Sequence, residues 1–261
     1  MARTGLLAGA AVWLAAGSAA AQTPAAQCAE RSIERQLERA RDILGDWPNL
    51  GRYRDANSRL PAPASGERRV VFLGDSITEG WSDAAAGGFF PGRPYVNRGI
   101  SGQTTSQMLV RFRPDVIALK PEAVVILAGT NDIAGNTGAV PLSAVEDNFA
   151  TMAELARIHG IRVVLSSVLP VDDDDRDAQG QLLNRTRCRP PAEIEELNRW
   201  LRRYADEYGH VYLDYAGAMS DERGRLKADL SDDGLHPNAK GYAVMAPLAD
   251  RAVAAVLGRK P

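Results

Sequence analysis

The sequence predicts an α/β fold in which five parallel strands form one sheet with helices on both sides. Five apolar runs alternate with segments whose apolar residues recur at helical spacing, a pattern typical of a parallel sheet. Several of the runs are continuous and β-branched, which indicates strands buried on both faces. The carboxyl ends of such strands are where ligands bind. The predicted strands are residues 70–73, 95–97, 123–128, 163–168 and 211–214.

Helices are predicted between and after these strands. Residues 144–158, 194–208 and 239–257 carry apolar side chains at three- and four-residue steps, and Asn238 is placed to cap the last of these helices. The charged segment 30–44 has the spacing of an amphipathic surface helix, and a Pro- and Ala-rich linker follows at 61–66. This first helix is too short to make a core of its own, so we expect it to accompany a single α/β domain.

The N-terminus has the order of a secretory signal peptide. Arg3 precedes an apolar run over residues 6–16, and three alanines precede Gln22. An uncleaved membrane anchor is disfavoured because the run is shorter than the roughly 20 apolar residues that span a bilayer. We expect cleavage after Ala21, export to the periplasm or the medium, and no stable membrane insertion afterwards. Residues 1–21 are then the signal peptide, 22–66 a helical segment with linker, and 67–261 the α/β domain.

Charge and cysteine content narrow the partners and the compartment. The formal net charge of the 261 residues is −2, with both signs interspersed, so a nucleic-acid partner has no electrostatic support. Two cysteines, Cys28 and Cys188, would enter an oxidising compartment, where we expect them to form a structural disulfide.

Ser76 is the candidate nucleophile, because it lies just past the first strand in the stretch Gly74-Asp75-Ser76. A serine hydroxyl needs a base to take its proton. Of the three histidines, His159 and His210 end helices on the edge of the sheet away from the ligand, where a cation suits a helix C-terminus. His236 follows the fifth strand, and Asp233 three residues earlier is placed to orient its ring. Alone, this Asp-x-x-His spacing is common and also fits a simple capped turn.

Donors for an oxyanion would come from two other strand ends. Asn131, in Gly129-Thr130-Asn131-Asp132, follows the third strand, and Gly102, in Gly99-Ile100-Ser101-Gly102, follows the second. A glycine there lets a backbone N–H approach substrate closely. Taken singly, Asn131 is better explained as a turn or cap residue, and Gly102 as a turn before a helix. The balance shifts because four separate strand ends each supply a part that acyl transfer requires.

These four blocks, in this order, resemble the SGNH (GDSL) hydrolases. The resemblance covers residues 70–257 and implies a flavodoxin-like three-layer α/β/α sandwich with a five-stranded parallel sheet. It also implies that Ser76 is nucleophile and oxyanion donor, Gly102 and Asn131 are further donors, His236 is the base and Asp233 its partner. An α/β-hydrolase elbow is disfavoured because Thr78 stands where Gly-x-Ser-x-Gly needs its last glycine.

The expected activity is therefore cofactor-free hydrolysis of a carboxylic ester. The branch that the chain resembles most is acetylhydrolase- and acetylesterase-like, which implies short acyl esters of carbohydrates or small molecules as substrates. The alternatives are a lysophospholipase or thioesterase acting on longer chains, and a carbohydrate-binding protein that has kept the fold without turnover. The sequence does not indicate an oligomeric state.

Two further features have competing explanations. Asp172 to Asp175 form an acidic run that we expect to be a solvated loop, since consecutive aspartates lack the spacing of a calcium site. This run begins a long loop over residues 171–191, which should lie on the ligand side. The aromatic residues after Ser76 either line a pocket or pack the first crossover against the sheet, with equal support; they are Trp81, Phe89, Phe90 and Tyr95. No histidine or cysteine pair has zinc spacing, so no metal is expected.

Overall fold

Five parallel strands form one sheet in the order β2–β1–β3–β4–β5, which is the flavodoxin-like order. The computed structural model describes residue 40 and residues 44–83, 88–173, 182 and 184–258. It divides the chain into two units, residues 1–45 and 46–261, and the sheet belongs to the second. The strands are β1 Val70–Gly74, β2 Tyr95–Gly99, β3 Ala123–Leu127, β4 Arg162–Ser166 and β5 Val211–Leu213.

Nine helices are described in this second unit, with short 3-10 turns at Ile117–Leu119 and Ala228–Leu230. They are α1 Arg54–Arg59, α2 Ser76–Gly80, α3 Thr105–Asp115, α4 Thr130–Ile133, α5 Leu142–Ile158, α6 Arg185–Cys188, α7 Pro191–Tyr208, α8 Tyr215–Met219 and α9 Ala239–Gly258. The three long predicted helices are confirmed as α5, α7 and α9. Asn238 accepts from the backbone N–H groups of Lys240 and Gly241 at 3.0 and 3.1 Å, as its capping position predicted.

The sheet is buried on both faces, as the continuous apolar runs predicted. Successive side chains of a strand point to opposite faces. Val71 and Leu73 pack in one core with α3, α5 and α7, while Val70 and Phe72 pack in a second core with α9. The three-layer α/β/α architecture expected from the sequence is therefore present.

The aromatic residues that follow Ser76 belong mainly to the second core. Their rings surround Phe72, with centroid distances of 6.3 Å from Trp81, 5.2 Å from Phe89 and Phe90, and 5.5 Å from Tyr95. Trp81 and Phe90 are buried. Of the two explanations left open by the sequence, packing of the first crossover against the sheet is the one that fits.

The segment that precedes the predicted linker packs against β2 and α3. The Tyr53 hydroxyl donates to the Gly99 carbonyl, and Asn57 Nδ2 donates to Asp115 Oδ1 at 2.7 Å. Residues 46–66 thus lie in the same unit as the strands, while the boundary at 66/67 stays a prediction. The signal segment, Cys28 and nearly all of the predicted helix over 30–44 lie outside the described residues. Cys188 is exposed, and its pairing with Cys28 also stays a prediction.

Within the part of the chain that the structure describes, no helix is long and apolar enough to cross a membrane.

Candidate active site

Ser76 is the first residue of α2, at the point where the chain leaves β1. Asp75 caps this short helix, and its Oδ1 accepts the Ile77 N–H at 3.0 Å. Gly74 allows the turn because a Cβ there would lie 2.0 Å from Thr78 Oγ1 and 2.8 Å from the Leu127 carbonyl oxygen. The local sequence therefore presents the Ser76 hydroxyl at the carboxyl edge of the sheet.

His236 and Asp233 meet Ser76 at this edge. Ser76 Oγ lies 2.9 Å from His236 Nε2, and His236 Nδ1 lies 2.7 Å from Asp233 Oδ2. Since a carboxylate only accepts, the ring carries its proton on Nδ1 and turns the Nε2 lone pair toward the serine. The other two histidines lie near the opposite edge, as predicted: His159 is three residues before β4 and His210 is directly before β5.

The loop over residues 231–236 holds the carboxylate in place. Asp233 Oδ1 accepts the N–H groups of His236 at 2.7 Å and Leu235 at 3.0 Å, which folds the aspartate back onto its own loop. Burial alone would raise the pKa of Asp233, but the hydrogen bonds and charge from His236 outweigh it and hold that pKa well below 3.8. Gly234 makes the turn at a φ of +70°, with Asp172 O only 2.3 Å from where a Cβ would stand.

Asn131 and Gly102 follow β3 and β2 at the same edge. Asn131 lies in α4, where it is 4% exposed, and its Nδ2 donates to the Gln103 carbonyl at 3.0 Å and to Asp75 Oδ2 at 3.4 Å. Gly102 has a φ of +77°, and Asn136 Nδ2 donates to its carbonyl at 3.0 Å. These contacts bring the stretches after β1, β2 and β3 together.

Asp132 connects the third block to the second, a role that the sequence did not reveal. Both of its oxygens accept the Thr105 N–H at 3.0 Å, and the Thr105 hydroxyl donates to Oδ1 at 2.6 Å. Thr105 begins α3, so this buried carboxylate holds the start of α3, and the turn that contains Gly102, beside α4. Burial raises the pKa of the Asp132 carboxyl, against the donors from Thr105.

Arg111 is a second buried residue that sequence reasoning missed. Its guanidinium is fully buried and donates to the carbonyls of Gly74 and Arg98, both at 2.9 Å, to Gln103 Oε1, and to Asp115 Oδ2 at 3.1 Å. It therefore joins the ends of β1 and β2 to the turn after β2. The sequence gave no signal of this, because an arginine near the end of a helix normally faces water.

The described ends of the predicted loop 171–191, residues 171–173 and 184–191, lie on the ligand side, and the second of them contains the short helix α6 and contributes two arginines. Arg185 Nη2 lies 3.1 Å from Asp233 Oδ2, and its Nε donates to the Asp233 carbonyl at 3.0 Å. Arg189 Nε donates to Thr130 Oγ1 at 3.0 Å, and its Nη2 donates to Asn131 Oδ1 at 3.4 Å. The sequence offered one signal for both arginines, which is that several basic residues lie between 185 and 189, in a loop predicted to be near the carboxylates at this edge of the sheet.

The acidic run at the start of this loop is only partly described, and the solvated loop predicted for it is wrong for Asp172, while Asp173 is partly exposed. Asp172 is 3% exposed, and Arg225 Nη1 lies 3.5 Å from Asp172 Oδ1 and 3.4 Å from Asp173 Oδ2. Asp173 also accepts from the N–H and hydroxyl of Thr186. A distant arginine pairs with these charges, and the sequence alone could not show it. In the described residues, no three His, Cys, Asp or Glu side chains are grouped to hold a metal.

An open cleft of about 920 Å³ leads to Ser76 and His236. One wall is an ionic cluster in which Glu79 pairs with Arg52 at 2.7 Å and accepts from the N–H and hydroxyl of Ser101 at 2.8 and 2.6 Å. Much of the lining is polar or charged, and it includes Arg52, Glu79, Asp83, Ser101, Asp232, Asn238 and Lys240. The cleft thus offers a wide approach to the serine that is lined by charged and polar side chains together with apolar surface.

The fold, the position of the serine at the carboxyl edge and its histidine and aspartate partners define an ester hydrolase of the three-layer α/β/α class. Comparison with known proteins agrees: the model of the GDSL-like lipase/acylhydrolase family matches residues 72–244. The chain belongs to this family, and it is a carboxylic ester hydrolase.

Several known proteins are similar to this chain. A GDSL-like lipase of known structure from Bacteroides thetaiotaomicron is 40% identical, with a TM-score of 0.72 over 80% of this chain and 98% of that one. An acetylxylan esterase from Geobacillus stearothermophilus is 26% identical over 70% of this chain and 91% of its own length. A Bacillus subtilis protein named as the lipoprotein YqeF is 37% identical over 29% of this chain, and the match spans only 32% of that protein.

Proposed function

We propose that this chain is a serine esterase that removes acetyl or other short acyl groups from carbohydrates or small esters through an acyl-enzyme. The observation that carries the proposal is the 2.9 Å contact between Ser76 Oγ and His236 Nε2, backed by the 2.7 Å contact between His236 Nδ1 and Asp233. This arrangement supplies a nucleophile, a base and an orienting carboxylate in hydrogen-bonding order.

Acylation begins when Ser76 Oγ attacks the ester carbonyl carbon and its proton passes to His236 Nε2. The imidazolium that forms is stabilised by Asp233, which remains ionised because its pKa lies well below 3.8. His236 then returns the proton to the leaving alcohol oxygen as the C–O bond breaks. A water molecule, deprotonated by the same nitrogen, attacks the acyl-enzyme and releases the carboxylic acid and the serine.

The negative charge on the carbonyl oxygen needs donors at both stages. In this proposal they are the N–H groups of Ser76 and Gly102 and the Asn131 Nδ2. One proton of that amide is held by the Gln103 carbonyl at 3.0 Å, and the other faces Asp75 Oδ2 at 3.4 Å. The longer contact is the weaker one, so the second proton is the one that we assign to the oxyanion.

The cleft supports a polar substrate with a short acyl group. Its charged lining and open shape suit the hydroxyl groups of a sugar, whereas a long acyl chain would need a deep apolar channel. Similarity to an acetylxylan esterase supports the same choice. The competing substrates, lysophospholipids and long-chain thioesters, would place many methylene groups beside the charged side chains of this cleft, such as Arg52, Glu79 and Lys240.

The test of the catalytic proposal is turnover of a chromogenic acetate by the purified protein and by Ser76→Ala. We expect the variant to lose essentially all turnover. Ser58→Ala removes an exposed hydroxyl of α1 and is the matched control, which should retain full activity. Equal rates for Ser76→Ala and the native protein would refute the nucleophile assignment.

The substrate is tested by a rate series of esters from acetate to palmitate, run beside an acetylated xylo-oligosaccharide. We expect kcat/KM to be highest for acetate and to fall with chain length. A maximum at long chains would favour the lysophospholipase or thioesterase alternative.

We also propose that the chain is exported. The charged start, apolar run and small residues of positions 1–21 support this, and so does the similarity to a protein named as a lipoprotein. The test is the mass of the N-terminal peptide of the protein made in a cell that exports it. A peptide beginning at Gln22 is expected, and one beginning at Met1 or Ala2 would refute the cleavage.

A further inference from the structure

Arg189 contacts α4 directly, although it comes from the loop after β4. Its guanidinium is buried, with 8% of the residue exposed, and it donates from Nε to Thr130 Oγ1 at 3.0 Å and from Nη2 to Asn131 Oδ1 at 3.4 Å. Its own backbone N–H donates to the Arg185 carbonyl at 2.9 Å, and two prolines follow, the second of which begins α7. The backbone on both sides is therefore restrained, and the side chain approaches Asn131 from a fixed position.

The contacts of Asn131 determine which way its carboxamide faces. A guanidinium can only donate, so the side facing Arg189 must be the oxygen. The Gln103 carbonyl can only accept, so the side facing it must be the NH2 group. Both neighbours require the same orientation. Without the arginine, the Oδ1 atom would lose its charged donor, and only the NH2 group would remain bound, to the Gln103 carbonyl and more weakly to Asp75. The amide would then be less restrained against tilting.

We propose that Arg189 is a positioning residue that holds the Asn131 carboxamide with its NH2 group directed toward the oxyanion. The inference rests on the proposed function, in which Asn131 is an oxyanion donor. A donor must be in place before the reaction to stabilise the developing charge, because reorientation during the reaction would consume part of the stabilisation. Arg189 supplies that restraint from outside the four sequence blocks.

The alternative is that Arg189 only fastens the loop to α4 through Thr130. If Arg189 positions the carboxamide, its substitution should not change kcat in a variant that lacks the carboxamide. If Arg189 only fastens the loop, its substitution should change kcat in both backgrounds. A double-mutant cycle with Asn131 therefore separates them.

The experiment measures kcat and KM on a chromogenic acetate for the native protein, Arg189→Met, Asn131→Ala and the double variant. We expect Arg189→Met to lower kcat by about tenfold, as for loss of one charged hydrogen bond, with KM changed by less than about twofold. In the Asn131→Ala background, the same substitution should change kcat by less than about twofold. Arg187→Met, an exposed arginine of α6, is the matched control and should leave both constants unchanged.

Arg189→Lys provides a second variant with the charge retained, in case the methionine variant does not fold. An ammonium cannot reproduce the two-pronged contact, so kcat should still fall by about threefold or more, and again only when Asn131 is present. Equal losses in both backgrounds, or full activity of Arg189→Lys, would overturn the positioning role. If Asn131→Ala leaves kcat unchanged, Asn131 is not part of the oxyanion hole. If Ser76→Ala turns over the acetate as fast as the native protein does, the proposed function itself is refuted.

Discussion

The two sides of the proposed reaction centre are held together in different ways. On the proposed acid–base side, Ser76 of α2 meets Asp233 and His236, whose mutual contacts lie within one short loop, and the His236 and Asp233 side chains are 40% and 35% exposed. The donor side, made of Gly102 and Asn131, depends on buried polar residues from distant parts of the chain. Asn131 is 4% exposed, and Arg111, which holds the turn leading to Gly102, is fully buried.

Because of this difference, substitutions on the two sides should differ in how much they change the free energy of unfolding. A partly exposed pair that is linked by local hydrogen bonds can be changed at small cost to folding, because water replaces what is lost. A buried group cannot be changed in this way, since its former partners are left without hydrogen bonds. We therefore expect substitutions on the acid–base side to remove activity alone, and those behind the donor side to remove stability as well.

The largest expected effect is the loss of activity in His236→Ala. Removal of the base should reduce kcat on the order of 10⁶-fold, as in other triads, while the midpoint of urea unfolding changes little. His159→Ala removes an exposed histidine after α5 and is the control, which should keep native kinetics. A loss below about 100-fold in His236→Ala would show that another group takes the proton.

The arrangement of the acid–base side could be predicted from the sequence because the Asp233–His236 contact is local. Asp233 and His236 are three residues apart, and elimination of two histidines by their position left a single base. Ser76 was placed by the end of an apolar run. Each of these inferences needs only local spacing and the order of strands, which the sequence displays.

The fold was also largely predictable, with differences at strand ends. The predicted fourth strand extends to Val168, but β4 ends at Ser166. Val168 is buried like a strand residue, yet its N–H and carbonyl bond to the Asn198 side chain at 2.7 and 2.9 Å instead of to a neighbouring strand. An apolar run in the sequence indicates that residues are buried. It does not show whether their backbone groups hydrogen-bond to a neighbouring strand.

The buried network behind the donor side could not be predicted for that reason. Apart from Asp115, which lies four residues after Arg111, the partners of Arg111, Asp132 and Arg189 are between 8 and 59 residues away in the chain, and no local pattern marks such pairs. Each is a charged residue in a position where a solvated side chain is the ordinary expectation.

Arg111→Met tests the stability half of the comparison. The substitution removes the Arg111 hydrogen bonds from Asp115, Gln103 and two carbonyl groups and leaves the Asp115 charge buried without its arginine, so the free energy of unfolding should fall by about 3–5 kcal/mol. Arg113→Met, an exposed neighbour on α3, is the control and should change it by less than about 0.5 kcal/mol. Urea titration of both proteins is the measurement, and equal midpoints would contradict the proposed role of the buried network.

A pH titration of stability distinguishes the two sides by the sign of their carboxyl shifts. Burial raises the pKa of Asp75, which lies against Asn131, from 3.8 to about 6, while that of Asp233 is lowered. Between pH 4 and 6 the folded protein keeps the Asp75 proton that the unfolded chain has lost. The stabilisation from Asp75 is therefore complete below about pH 3.8 and is lost as the pH rises through 6, while that from Asp233 is present above 3.8 and is lost in more acidic solution.

The variant Asp75→Asn isolates this effect. It has no proton to lose, so its free energy of unfolding relative to the native protein should rise by up to roughly 3 kcal/mol between pH 4 and 7. A constant offset from altered hydrogen bonds would not change the slope, and other groups titrate in both proteins and cancel. Parallel curves from urea unfolding over this range would contradict a raised pKa for Asp75.

The smallest expected effect is on the cleft wall, where Arg52 is ion-paired like Arg111 but exposed instead of buried. Arg52 is paired with Glu79 at 2.7 Å, but the two side chains are 50% and 27% exposed, so Arg52→Gln should change the free energy of unfolding by less than about 1 kcal/mol. Its kcat on a small acetate should stay native, because Glu79 keeps its two bonds to Ser101 without the arginine.

The same variant tests whether the cleft wall contacts substrate. If the polar wall holds the alcohol part, Arg52→Gln should raise KM for an acetylated oligosaccharide by about threefold, as expected for one partly solvated hydrogen bond. Arg54→Gln, an exposed residue outside the cleft, should leave KM unchanged. A loss of stability as large as that of Arg111→Met would show that exposure does not separate the two arginines, and the contrast between the two sides would then need another cause.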